Sequence, residues 1–335
     1  MPKLLVLFCS LLLTTFALGQ TYTVTDLGTL GGNFTVARAV NGLGQVTGSS
    51  NINPSTGHAF LYSGGTITDL GTLGGTNAIG LGINASGVVV GYSTQADGSY
   101  RGFVFSNGTM TAIPPLSSNY GTAYGINDFG QVVGNSINSS GIPAGFLFSD
   151  GVLTDLGNLG GADGTSASAI NNRGQVVGYS YDTNGDFLAF VWQNGHMRSL
   201  GTLGGPWSQA YGINNNGVIT GTAYLSGTLN GPHAFVFRNG VMKDLDKRTG
   251  VVQSWGFGIN STGVVVGKMQ VKGGGGNLNF HAFVTVNGRM TDLNKLIPPG
   301  SGWVLDEAYS INDAGQITGY GERNSQTRGF LLTPQ

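Results

Sequence analysis

The 335-residue chain carries 15 Lys and Arg against 16 Asp and Glu, a net charge of −1 with no basic cluster, which argues against nucleic-acid backbones and anionic lipid as partners. Charged residues are only 9% of the chain, against a usual ~25%, and glycine reaches 60 residues. Hydrophobic residues nonetheless make up 40%, with 17 Phe, 12 Tyr and 4 Trp recurring at fixed intervals, so a disordered low-complexity chain is excluded.

Met1, Pro2 and Lys3 precede an apolar run from Leu4 to Leu13, and Ala17-Leu18-Gly19 places small residues two apart. This is the pattern of a secretory signal, residues 1–19, cleaved before Gln20. The run is half the ~20 residues a membrane-spanning helix needs, and nothing later stays apolar for as long. The single cysteine, Cys9, lies inside it, so the mature chain has no thiol for a disulfide or a metal site. The expected product is one exported domain, 20–335, extracellular or periplasmic.

Tyr22-Thr23-Val24-Thr25-Asp26-Leu27 reads as a strand, followed by the turn-rich exit Gly28-Thr29-Leu30-Gly31-Gly32. A repeat then begins. An Asn is followed three residues on by Gly, then by Gln or Val, two β-formers and a second Gly. The copies start at Asn41, Asn84, Asn127, Asn171, Asn214, Asn260 and Asn312, spaced by 43, 43, 44, 43, 46 and 52 residues. After each comes a second element, such as His58-Ala59-Phe60, Arg101-Gly102-Phe103 or His233-Ala234-Phe235. In six of the units a strand ending in Asp-Leu or its equivalent follows, as in Thr68-Asp69-Leu70-Gly71-Thr72-Leu73-Gly74-Gly75.

Each unit reads as two hairpins. In Ile170-Asn171-Asn172-Arg173-Gly174-Gln175-Val176-Val177-Gly178, Asn opens a type I turn and Gly174 takes the left-handed position that closes it. Asn194-Gly195 is a tight turn between strands rich in aromatic and β-branched residues. Four short strands every ~43 residues predict an all-β fold, a seven-bladed β-propeller of four-stranded antiparallel blades. Helical solenoids are excluded, because no stretch carries apolar residues at helical spacing over three turns. The last unit stops at Gly329-Phe330-Leu331-Leu332 without a fourth strand, and the N-terminal strand from Tyr22 to Leu27 supplies the missing copy. That predicts closure, with no open sheet edge.

The Asn-x-x-Gly hairpin, the His-Ala-Phe strand and the Asp-Leu-Gly-Thr-Leu-Gly-Gly exit at Asp69 to Gly75 together resemble the HAF family of bacterial extracellular repeats. The likeness runs from Tyr22 to Leu332, and the segment from Asp292-Leu293-Asn294 to Gly302-Trp303 is similar to that family's closing repeat. The resemblance implies export and repetition, with no established activity. Many relatives carry an apolar, arginine-bearing C-terminal sorting tail, whereas this chain ends at Thr333-Pro334-Gln335, which favours release over anchoring.

Few residues invite a chemical role. His58, His233 and His281 share a repeat position that holds Arg101, Leu188 and Arg328 in other units, so a structural role is expected and no metal site. Of 14 Asp and two Glu, Asp26, Asp69, Asp155, Asp244 and Asp292 are fixed at the fourth-strand position, where they are expected to tie down turns. Asp306 and Glu307 are adjacent and would face opposite ways on a strand, so no catalytic pair is expected. Asp182-Thr183-Asn184-Gly185-Asp186 resembles a calcium-loop fragment but lacks a terminal Glu and reads as a turn. The glycine run at 273–276 reads as a flexible loop.

The loops between units are richer, since Phe34, Tyr120, Trp207, Trp255 and Trp303 stand shortly before the turn Asn of the next unit. They either wedge between blades or present rigid apolar faces among Asn, Ser and Thr, as carbohydrate and peptide sites do. The expected function is a noncatalytic binding or scaffold module without cofactor, a monomer whose ligand is an extracellular glycan or a secreted or surface protein. The alternatives are an exported carbohydrate-active enzyme, which needs two free carboxylates at a channel mouth, and a purely structural matrix protein, which needs the Trp loops buried.

Overall fold

The structure is a computed structural model that describes residues 20–117, 120–227, 231–246, 253–272 and 278–335. The leader and the glycine run at 273–276 lie outside the described residues. The described residues form 28 strands and no α-helix, with one 3-10 turn at Leu293–Lys295. No helix among them is long and apolar enough to cross a membrane.

The first unit consists of β2 (Thr35–Val40), β3 (Val46–Asn53), β4 (Thr56–Ser63) and β5 (Thr66–Asp69), paired antiparallel in that order. The same order recurs along the chain as far as β26 (Trp303–Ile311), β27 (Ile317–Arg323) and β28 (Gln326–Pro334). This last unit takes its fourth strand from β1 (Tyr22–Asp26), with Tyr22 opposite Pro334 and Asp26 opposite Phe330. Single parallel pairs, Gly57 with Asn77 and Phe187 with Trp207, link two neighbouring pairs of units.

The second Gly of the repeat motif and the Phe of the second element explain each other. A Cβ on Gly48 would stand 2.0 Å from the Val36 carbonyl oxygen and 2.9 Å from the Phe60 ring. Gly91, Gly134, Gly178, Gly221, Gly267 and Gly319 meet a first-strand carbonyl at 1.8–2.0 Å in the same way. Only glycine lets the first strand approach so closely while a phenyl ring lies over the gap. The rings of Phe60, Phe103, Phe146, Phe190, Phe235, Phe283 and Phe330 are all fully buried. The core is divided among the contacts between units: Phe60 packs with Ala37, Val40 and Val46 of its own unit and with Leu331 of the last.

The turn chemistry also does more than close hairpins. The Asn41 side-chain oxygen accepts from the backbone N–H of Leu43 and Gln45, both at 3.0 Å, and Gly44 takes φ 74°. Its Nδ2 donates to the backbone carbonyl of Asn84, which repeats the gesture toward Asn127. Asn127, Asn171, Asn214 and Asn260 continue the series, and Asn312 donates back to Asn41 at 2.9 Å. Seven hydrogen bonds of 2.8–3.5 Å thus run from unit to unit and return to their start.

Candidate functional site

The first strands of all seven units line one central cavity of about 730 Å³. The residue before each turn Asn is Val40 or an isoleucine, and these side chains form an apolar collar between that cavity and a smaller one, about 360 Å³, at the Asn turns. Two residues earlier the wall is varied: Arg38, Leu81, Tyr124 and Ser168 in the first four units, Tyr211, Phe257 and Tyr309 in the last three. The cavity is therefore apolar at the end bounded by the Asn turns and more polar and aromatic in its wall.

Aromatic side chains reach outward from it. Phe187 lines the cavity and stacks on Tyr179 at 4.0 Å between ring centres. Tyr181 meets Phe187 edge-on at 5.4 Å, Trp207 lies 6.4 Å from Phe187, and Tyr224 closes the group 5.4 Å from Trp207. Such offset and edge-on pairs are the preferred aromatic geometries. Trp207 keeps 51% of its surface exposed, so this platform opens to solvent.

Across the wall, Tyr211, Phe257 and Tyr309 form a second row with spacings of 5.2 and 5.4 Å, and Tyr320 stacks on Tyr309. The Arg38 guanidinium sits 4.2 Å over the Tyr309 ring. Lys268 Nζ bonds Glu307 at 2.6 Å and lies 4.9 Å over Trp255. Burial pushes the phenols of Tyr124 and Tyr211 up to about 12. Tyr309 and Tyr320 move the same way through burial, reinforced by Glu307 and opposed by Arg38. All four phenols are thus neutral at physiological pH and can donate hydrogen bonds.

Of the residues chosen from sequence, Phe34, Tyr120 and Trp207 are exposed, at 36%, 39% and 51%. Trp207 belongs to the platform described above, and Tyr120 pairs across a parallel bridge with Tyr100, itself 5.9 Å from Tyr92. Trp255 is half-buried, edge-on to Phe280 at 5.7 Å. Trp303 follows the wedged alternative and is corrected as a binding candidate: it is buried among Leu305, Ile317 and Phe330 in the core of the last unit. Besides the shift that every first strand has, here at Ala308/Ser310, β26 carries one at Leu305/Glu307, just after Trp303, whereas Trp207 lies inside the irregularity at Gly204/Ser208 of its own strand.

The wall residues three before each Asn were not singled out from sequence. Their signal was variability, since that position changes from unit to unit while its neighbours repeat. The His-Ala-Phe histidines turn out to bond the fourth-strand acids: His58 with Asp69 at 2.9 Å, His233 with Asp244 at 3.1 Å and His281 with Asp292 at 2.8 Å. Those Asp also cap their turns, as at Gly71 N–H to Asp69, 2.7 Å. The Asp182 to Asp186 segment is a hairpin turn, Asp182 accepting from the N–H of Asn184 and Asp186. Among the described residues no group of three or more His, Asp or Glu is placed to hold a metal ion. Asp306 stands apart: burial, with Glu322 and Glu307 adding to it, raises its carboxyl to about 6.

No family model matches the sequence, and no curated protein is detectably similar to it. Solved structures are. The β-propeller domain of the trilobed protease from Pyrococcus furiosus superposes with a TM-score of 0.59 at 10% identity, over 94% of this chain and 97% of that one. A puromycin-hydrolyzing peptidase from Mycobacterium tuberculosis gives 0.55 at 12%, over 93% of this chain and 50% of that one. TolB from Acinetobacter baumannii gives 0.50 at 14%, over 86% and 63%. This chain therefore spans less than two thirds of the latter two. Identities this low speak to fold alone, and the fold they show is the β-propeller.

Proposed function

We propose that the chain is an exported, noncatalytic glycan-binding module on a closed, seven-bladed propeller of the HAF type, acting as a monomer outside the cell or in the periplasm. The aromatic platform of Tyr179, Phe187, Trp207 and Tyr224 carries this reading, because it joins a solvent-exposed ring to the wall of a cavity of the size that holds small ligands, about 300–1,000 Å³. Flat rings stack on sugar faces, while the phenols and amides nearby serve the hydroxyls. The ring of Asn hydrogen bonds and the β1–β28 pairing support the closed form. The buried Phe, the Gly beneath it and the His–Asp pairs give the HAF-like motifs a structural purpose.

The test is a glycan array with residues 20–335, followed by titration of Trp207→Ala. The expected result is binding weakened at least several-fold, since a stacked aromatic contributes ~1 kcal/mol or more, with an unchanged melting temperature. No glycan retained by the unaltered protein would overturn the reading.

One observation favours a second reading, an exported carbohydrate-active enzyme: Asp306, with a carboxyl raised to about 6, stands near Glu322 and Glu307. Turnover of an array-selected glycan, abolished in Asp306→Asn with binding retained, would establish it over the first.

A further inference from the structure

Two atoms in the channel wall are buried without a hydrogen-bond partner: Arg38 Nε and Asn135 Oδ1. A buried donor or acceptor left unmatched is costly and is rarely kept without a purpose. Arg38 forms no ion pair among the described residues, although Glu307 is close enough to influence the same two tyrosines. Lys268 occupies Glu307 at 2.6 Å. The neighbouring acid is thereby engaged elsewhere, and the guanidinium rests on the Tyr309 ring with its Nε edge unused.

Arg38 is also the sole charged residue among those lining the cavity. The remaining polar groups there are Asn, Gln, Ser and Tyr, all neutral. One fixed positive charge in a space of about 730 Å³ favours an anion of single charge, and the two terminal nitrogens of the planar guanidinium match the two oxygens of a carboxylate. The surrounding hydroxyls and amides, alternating with the flat faces of Tyr211 and Phe257, fit a ring bearing several hydroxyl groups better than a peptide chain.

Building on the glycan-binding reading above, we propose that the channel recognises acidic carbohydrate, with the carboxylate of a uronic-acid residue held by Arg38 and its hydroxyls met by Asn135 and the channel tyrosines. The interaction is noncovalent, and no bond is made or broken.

The test is calorimetric titration of residues 20–335 with trigalacturonate, neutral galactotriose and triglutamate, in parallel with Arg38→Gln and Arg38→Lys. Trigalacturonate should bind about tenfold or more tightly than galactotriose, the scale of a lost charge-assisted contact. Arg38→Gln should abolish that preference, the two sugars then binding alike, and Arg38→Lys, which keeps the charge without the fork, should restore part of it. Raising the salt concentration should weaken trigalacturonate binding to the unaltered protein and spare the neutral sugar, a readout that does not depend on any variant folding. Equal affinity for the two sugars, or a preference that survives Arg38→Gln, would overturn the role of Arg38 while the glycan reading stands. Triglutamate binding as tightly as trigalacturonate would overturn the sugar class. If neither sugar binds, the acidic-carbohydrate proposal falls, while the glycan reading stands or falls with the array.

Discussion

Asn171 makes four hydrogen bonds with one side chain. Its oxygen accepts from Arg173 and Gln175 within the turn, and its amide donates to Gln175 Oε1 and to the Asn214 carbonyl of the next unit. At about 0.5–1.5 kcal/mol net for each of the four bonds, Asn171→Ala should cost roughly 2–6 kcal/mol. Asn171→Asp separates the two duties, since Asp serves the same turn but sets a carboxylate against the Asn214 carbonyl. A clear fall in melting temperature for the Asp variant is expected; a near-neutral effect would reduce Asn171 to a turn residue. Titration supplies a second expectation at this scale. Hydrogen bonds to Asp244 and Asp292 raise His233 and His281 above their ordinary value, so their stabilisation is full below about pH 6.5 and is lost as pH rises through the folded value. Asp306, raised to about 6, also binds its proton more tightly when folded, so its contribution falls as pH rises from the ordinary carboxylate value of about 4 to about 6 and stays lost above that. Asp292 acts oppositely, being lowered, and its contribution disappears only as pH falls below the ordinary carboxylate range. The melting temperature should therefore rise from pH 8 toward pH 5, then fall below about pH 4. Asp306→Asn should flatten the part of the rise between about pH 6 and pH 5, and an unchanged profile would show that Asp306 does not contribute to it.

Strand identity was legible in the sequence because hairpin chemistry is local: an Asn, a left-handed Gly and alternating β-formers suffice to define a turn and its flanks. The β1 strand was legible for the same reason, as a fourth-strand copy with no strands before it. The sites were less so. Trp207 and Trp303 look alike when counted along the chain, but the count from tryptophan to turn Asn is seven in one and nine in the other. Trp303 precedes a one-residue shift at Leu305/Glu307 while Trp207 lies within the irregularity at Gly204/Ser208, and a single-residue shift reverses which way a side chain points. Trp303 thus packs edge-on to Phe330, 6.2 Å between centres, rather than facing solvent. Its replacement by Ala should cost about 3–5 kcal/mol, the range for a buried aromatic, and lower the melting temperature without altering glycan affinity per folded molecule. A binding defect with full stability would return Trp303 to the site. The unpaired Arg38 was invisible for a different reason, since its significance lies in which acid Lys268 has already taken, and no spacing encodes that.

On the scale of the whole molecule, the last unit meets the first through core packing at Leu331 and the hydrogen bond from Asn312 to the Asn41 carbonyl, and the β1–β28 ladder brings residues near the two ends of the described chain side by side. Tyr22 anchors that ladder. It is buried at 2% exposure, its phenol is raised to about 12 by burial, and its N–H donates to the Leu296 carbonyl at 2.8 Å. The cavity lined by the seven first strands needs these contacts, because separation of the first and last units would open the wall that places Arg38 over Tyr309. Thr23 lies opposite Thr333 in the ladder, and directly opposed residues of an antiparallel pair have Cα atoms about 4.5–5.5 Å apart, within the range a disulfide spans. The only cysteine of the sequence is Cys9, so a Thr23→Cys, Thr333→Cys variant of residues 20–335 has one possible intramolecular pair. Oxidation should close a loop of nearly the full domain and stabilise the protein by up to about 5 kcal/mol, as the loss of unfolded-chain entropy predicts for so long a loop. Reductant should reverse the gain, and glycan affinity should be the same in both forms because the ladder lies far from the channel wall in the blade. Failure of the two thiols to pair without denaturant would show that the ends are not held together in solution, and the closed ring would then lose its support.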